Sequence, residues 1–137
     1  VNENLNSAEP GLWYAAAVYS VKMPDGRYCL AAEEANFRLA CIRAGRLIAD
    51  GWLIFSPIAH SHAIHVAYAP FLAREEHKLW YRVDNAIIRT VPFRGIILPP
   101  EWQDSTGCTA EKRLFESLGR EVWYFPEPCC VTRDPMC

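Results

Sequence analysis

Arg94-Gly95-Ile96-Ile97-Leu98-Pro99-Pro100-Glu101-Trp102-Gln103-Asp104-Ser105 is the stretch that decides the fold. Arg94 to Leu98 reads as a short apolar strand, and Pro99-Pro100 closes it because proline offers no N–H to a ladder. Asp104 or Ser105 can then cap a helix, each by supplying a side-chain oxygen to free backbone N–H groups. That helix runs to Leu118, with Gly119 at its end. Strand, proline stop and capped helix in direct succession are one half of a strand–helix–strand unit.

The same alternation extends in both directions. Upstream, Leu79, Trp80, Val83, Ile87 and Val91 mark a helical face from about Glu75 to Thr90. Val66 to Ala73 reads as loop with a helical turn. Before it, Ile58 to His65 forms a histidine-rich connector. Trp52 to Phe55 is a second strand, stopped at Ser56-Pro57. Phe37, Cys41, Ala44 and Ile48 recur at spacings of three and four in an amphipathic helix from about Ala31 to Asp50. Gly51 follows, where a left-handed cap is expected. Leu12 to Val18 is the first strand, and Met23-Pro24-Asp25-Gly26 is a turn. Downstream, Glu121 to Phe125 is the last strand.

Strands alternating with helices predict a single-domain flavodoxin-like (Rossmann-like) α/β fold over residues 12–126. Its parallel sheet has four to five strands with helices on both faces. Residues 1–11 read as a disordered leader and 127–137 as a Cys/Pro-rich tail. Strand C-terminal ends share one edge of such a sheet, and ligands bind there. The candidate loops are Tyr19 to Arg27, Ser56 to His65, and Pro99 to Glu111.

With 137 residues the chain has room for one core. A net charge of -2, with basic and acidic residues interleaved, disfavours a nucleic-acid polymer as partner. No stretch is long and apolar enough for a bilayer, and the start lacks the features of a signal peptide. Six cysteines without a CxxC pair, beside a rich aliphatic core, read as free thiols in a reducing, cytoplasmic compartment. Cys129 and Cys130 lack a second pair with which to hold a metal. His60, His62 and His65 suit polar pocket lining better than a metal site. Neither GxGxxG nor GxxxxGK[ST] occurs, so nothing supports a dinucleotide or triphosphate cradle.

Two acids carry the candidate chemistry. Glu111 lies about one turn into the helix that follows Ser105-Thr106-Gly107, a segment rich in hydroxyls and backbone N–H groups. The same position suits a first-turn acid that complements the helix dipole. Asp84 sits beside Trp80, Val83 and Ile87, where an acid needs a partner or a ligand; the helical register also allows it to face solvent beside Arg82 and Arg89.

Four segments in order resemble the nucleoside 2-deoxyribosyltransferase-like superfamily, in particular a branch of small bacterial and phage proteins. They are Ala17-Val18-Tyr19-Ser20, Phe55-Ser56-Pro57-Ile58-Ala59-His60-Ser61-His62, Leu79-Trp80-Tyr81-Arg82-Val83-Asp84, and Leu98-Pro99-Pro100-Glu101-Trp102 with Ser105-Thr106-Gly107 and Glu111. Val18 replaces the family's usual proline. The resemblance implies that Glu111 is the nucleophile at the anomeric carbon, that Asp84 binds sugar hydroxyls or assists proton transfer, and that Tyr19 orients Glu111. It implies substrate contacts from Ser20, Ser56, His60, His62, Ser105 and Gly107. Ser105 stands where classical transferases hold an Asp, which favours a 5′-monophosphate substrate and hydrolysis. Lys22 and Arg27 are the cations available to a phosphate, or are ordinary solvated loop charges. No cofactor and no metal are required.

The resemblance also implies a homodimer or higher homo-oligomer, with Trp80, Tyr81, Tyr68 and Phe71 available to an interface. The expected activity is cleavage of the base–sugar bond of a nucleoside or its 5′-monophosphate. The rivals are base exchange by a deoxyribosyltransferase and a nucleotide-binding or sequestering module without turnover.

Overall fold

A computed structural model describes residues 11–68 and 76–126. Four strands, β1 (Leu12–Ala15), β2 (Leu53–Phe55), β3 (Gly95–Leu98) and β4 (Glu121–Tyr124), form one sheet in the order β2-β1-β3-β4. All pairings are parallel. The helices are α1 (Leu30–Ala49), α2 (Pro57–Tyr68), α3 (Glu76–Thr90) and α4 (Thr106–Ser117), with a 3-10 turn at Trp102–Asp104. This is the expected flavodoxin-like architecture, with four strands among the described residues. The leader, the tail with Cys129, Cys130 and Cys137, and Phe71 lie outside the described residues.

Strand alternation sorts the core into two layers. Tyr14, Ile96 and Leu98 point to one face and pack with Ile88 of α3 and with Cys108 and Phe115 of α4. Trp13 and Ile97 point to the other and pack with Leu47 of α1 and with Trp52. Gly95 makes the second layer possible. A Cβ there would lie 2.6 Å from the Trp13 ring and 2.4 Å from the Glu121 carbonyl oxygen. Without one, Trp13 crosses β3 and meets Trp52 and Trp123 edge-on, with centroids 5.2 and 5.8 Å away.

Three expectations need correction. β1 ends at Ala15 rather than Val18. Pro99-Pro100 terminates its partner β3, so the last bond from this segment to β3 is Ala16 N–H to the Ile97 carbonyl. The histidine-rich connector is the helix α2. Pro57 begins it, where a missing N–H costs nothing, and the Ser56 hydroxyl accepts from Ala59 N–H at 3.3 Å. The buried stripe of α1 is rotated from the expected one. It runs through Ala32, Glu33, Asn36, Ala40, Arg43, Ala44 and Leu47, while Ile48 is 55% exposed. Alanines let α1 lie close to the sheet, and the polar members of the stripe have partners.

One of those partners is Glu101. The Arg43 guanidinium donates to both its oxygens, at 2.6 and 3.4 Å, and both residues are buried. This pair ties α1 to the loop after β3. Gly51 has the positive φ, +95°, expected at the end of α1.

Candidate active site

The strand order reverses direction between β1 and β3, and such a switch point opens a crevice at the strands' C-terminal edge. α4 starts at that edge. Ser105 caps it, with its hydroxyl accepting from Cys108 N–H at 3.1 Å. One turn further in, the Glu111 carboxylate accepts a very short hydrogen bond from the Tyr14 hydroxyl. Although the residue as a whole keeps some exposure, its carboxylate is surrounded by protein. Burial raises the Glu111 carboxyl to about 8, against the opposing Tyr14 hydrogen bond and with help from the charge on Asp84.

Asp84 reaches this corner from α3. Burial raises it to about 6, and the nearby His60 works in the opposite direction. The lower of the two acids ionises first, and its charge then resists ionisation of the second. Tyr14 is pushed well above its usual range by burial and then by Glu111 and Asp84, so it remains the donor. Tyr81 is raised by burial and by Glu111, and its hydroxyl lies 3.8 Å from where a Gly107 Cβ would sit. Buried Cys108 is pushed up to about 12 by its surroundings and by Glu111.

Two acids, two tyrosines and a histidine thus surround one corner of the sheet edge. A carboxylate there can act as nucleophile or base, and Asp84 can accept from a ligand hydroxyl. A crevice of about 20 Å³ under α1, lined by Ala15, Ala40, Ala44 and Pro99 among others, is far too small for a nucleoside.

The structure brings together Glu111, Asp84 and His60, with Gly107 beside Tyr81. It does not bring Tyr19 to Glu111. The hydrogen bond expected from Tyr19 is made by Tyr14, and the Tyr19 hydroxyl instead meets His62 Nδ1 at 2.7 Å. Ser56 and Ser105 spend their acceptor oxygens on helix caps. His62 is buried between Tyr19 and Glu34 rather than open to a ligand. Ser20 is half-buried, and Lys22 is exposed. Arg27 is exposed and paired with Asp25 at 2.7 Å, which offsets its charge. Among the described residues no group of His, Cys, Asp and Glu has the arrangement of a metal site. No described helix is long and apolar enough to cross a membrane.

The match to known families covers the same elements. The chain belongs to the DUF1937 family. The family model, described as a domain of unknown function, matches residues 11–127, so β1 through β4 and all of the corner just described fall inside it. No curated protein matches the chain.

Within this DUF1937 domain, sequence reasoning missed Tyr14, the Arg43–Glu101 pair and the state of Cys29. The signal for Tyr14 was present: a tyrosine inside an apolar strand must find a partner for its hydroxyl. Arg43 and Glu101 carried no comparable signal, being separated by 58 positions. Cys29, expected as a free thiol, is disulfide-bonded, while Cys41 and Cys108 are free. Pairing depends on how closely two backbones approach, which spacing does not encode.

Proposed function

We propose that the protein is an N-glycosidase that cleaves the base–sugar bond of a nucleoside or nucleoside 5′-monophosphate through Glu111. The observation that carries this reading is the Glu111 carboxyl held by the Tyr14 hydroxyl beside Asp84 at a sheet edge. The resemblance to nucleoside 2-deoxyribosyltransferase-like proteins supports the same roles for Glu111 and Asp84.

In this reading the Glu111 carboxylate attacks the anomeric carbon as the base departs, and water then hydrolyses the glycosyl ester. Tyr14 fixes the attacking oxygen. Asp84 accepts from a sugar hydroxyl. At neutral pH most Glu111 carries a proton. Positive charge developing on the sugar favours the ionised form at the moment of attack. A homo-oligomer is part of the same proposal, and the exposed Leu79, Tyr81 and Val83 of α3 supply apolar surface for it. The disulfide at Cys29 removes the thiol-based reason for a reducing compartment.

The test is incubation with a panel of nucleosides and 5′-monophosphates, with chromatography of released base. Release that Glu111→Ala abolishes supports the proposal. Release that survives Glu111→Ala refutes the nucleophile. The resting proton on Glu111 favours one second reading, a binding module in which the neutral carboxyl only hydrogen-bonds its ligand. Tight nucleotide binding without release would establish that reading.

A further inference from the structure

Asp84 and His60 meet at one side of the candidate active site. Asp84 is half-buried on α3, and His60 is exposed in the first turn of α2. Among the described residues neither the Asp84 carboxylate nor the His60 imidazole has a hydrogen-bond partner. A half-buried acid in that state carries a desolvation cost that a ligand hydroxyl can offset. Both side chains are therefore available to a ligand at the edge of the corner that holds Glu111.

The helical register of α2 brings His60 to that corner. His62 and His65 are buried on one face of the helix, and His60 falls on the other. Its ring lies 6.1 Å from the Phe55 ring. Phe55 lies 6.0 Å from the ring of Tyr14, whose hydroxyl holds Glu111. Strand parity puts Phe55 and Tyr14 on the same sheet face, because the two are paired in register. His60 also acts on Asp84, opposing the burial that raises this acid to about 6. Asp84 in turn acts on Glu111.

Stereochemistry decides what such a pair can hold. A β-nucleoside carries its base on one face of the sugar, and a nucleophile that displaces it in line approaches the opposite face. In ribose that face bears both the 2′- and the 3′-hydroxyl. Groups beside Glu111 thus meet the diol on one side of C1′ and the ring oxygen on the other. The ring oxygen has no proton to give. At neutral pH Asp84 is mostly ionised and only accepts, so it belongs on the diol side. An acid on the ribose 2′-hydroxyl is a recurrent pairing in nucleotide sites. An imidazole offers a hydrogen-bonding nitrogen to a hydroxyl in either tautomer, so His60 can serve the second one.

We propose that Asp84 and His60 bind the 2′,3′-diol of ribose, so that the substrate is a ribonucleoside or its 5′-monophosphate rather than the 2′-deoxy compound. The inference rests on the glycosidase reading and adds the sugar class to it. Asp84 accepts from the 2′-hydroxyl, the one next to C1′, and His60 meets the 3′-hydroxyl. Neither group exchanges a bond with the sugar, and Glu111 remains the nucleophile. A 2′-hydroxyl draws electron density from C1′ and makes the base harder to remove, so 2′-deoxy compounds lose their base more readily in water. A preference for ribose therefore has to come from the protein.

The probes are adenine and cytosine nucleosides and 5′-monophosphates, each with ribose, 2′-deoxyribose, 3′-deoxyribose or arabinose. Arabinose keeps a 2′-hydroxyl but carries it on the opposite face. Base release is measured as kcat/KM for the full chain and for its Asp84→Ala and His60→Ala variants, with melting temperature as the folding control. Ribose should exceed 2′-deoxyribose and arabinose by about 10- to 100-fold, the usual worth of a hydrogen bond to a charged group. Asp84→Ala should erase most of that ratio. His60→Ala should erase the smaller preference over 3′-deoxyribose. Ratios that survive both variants, or equal losses on every sugar, would reduce the pair to structural residues and overturn the assignment. Glu111-dependent release that is as fast from 2′-deoxyribose would overturn the diol and keep the glycosidase. Absence of base release from every compound would end both.

Discussion

Replacing Glu111 by glutamine tests the site without assuming any substrate. The carboxyl is raised from 4.5 to about 8 in the fold, chiefly by burial. A carboxyl raised in the folded state favours folding while it is protonated. Its contribution is complete below its unfolded value and is lost as pH climbs through the folded one. For Glu111 that window runs from about pH 4.5 to about 8. The full gap corresponds to about 4–5 kcal/mol, at about 1.4 kcal/mol per tenfold change in proton affinity. Partial exposure of the residue lowers the expected value to about 3 kcal/mol.

Glutamine keeps the size of the side chain and an oxygen to accept from Tyr14, and it cannot ionise. The wild type should therefore lose about 3 kcal/mol relative to Glu111→Gln between pH 5 and pH 9. Urea unfolding at pH 5, 7 and 9, extrapolated linearly, measures this directly. Thermal melts should separate by about 10 °C at pH 9 and nearly coincide at pH 5. Asp84 titrates in both proteins across a lower window, and Cys108 at about 12 stays protonated throughout. Parallel stability curves across the whole range would mean that Glu111 is hydrated, and the case for a preorganised nucleophile would fall with it.

Tyr14→Phe removes the hydrogen bond that lowers Glu111. A hydrogen bond to a charged group is worth about 1.5–3 kcal/mol, so the acid limb of base release should move one to two pH units upward, with a loss at pH 7 of about 10- to 100-fold; an unmoved limb would remove Tyr14 from the mechanism. Glu101→Gln takes the carboxylate from buried Arg43 and should cost about 3 kcal/mol in urea unfolding. The double change Arg43→Met with Glu101→Met should recover most of that loss, and a double variant as weak as the single one would contradict a desolvation origin.

Much of the fold was legible because its signals are local. Pro99-Pro100, the Ser105 cap and Gly51 each act within a few residues, and the structure has β3, α4 and the end of α1 where they indicate. The helix α2 was not legible for the same reason. Pro57 and Ser56 both read as strand stoppers, yet the pair is equally a helix start, with Ser56 capping and Pro57 in the first turn. The α1 stripe failed differently. Apolar periodicity selected Phe37, Cys41, Ala44 and Ile48, but burial follows the small residues, and Glu33, Asn36 and Arg43 are buried among them. Their partners, His65, Tyr19 and Glu101, come from three other segments.

The partner of Glu111 follows from a parity argument that sequence alone can nearly make. Successive strand residues face opposite sides, so Trp13 and Tyr14 cannot share a face. Trp13 needs open space across β3, and Gly95 is the residue paired with it. That assigns Trp13 to the α1 side and leaves Tyr14 on the α4 side, with Ile96 as its paired neighbour. A slip of one residue would put the Trp13 indole against Glu111 and remove the phenol that donates to it. Gly95, far from any chemistry, is in this sense the residue that gives Glu111 its hydrogen bond. Tyr19 lies beyond the strand, where parity no longer constrains it, and that freedom is why its hydroxyl meets His62 instead.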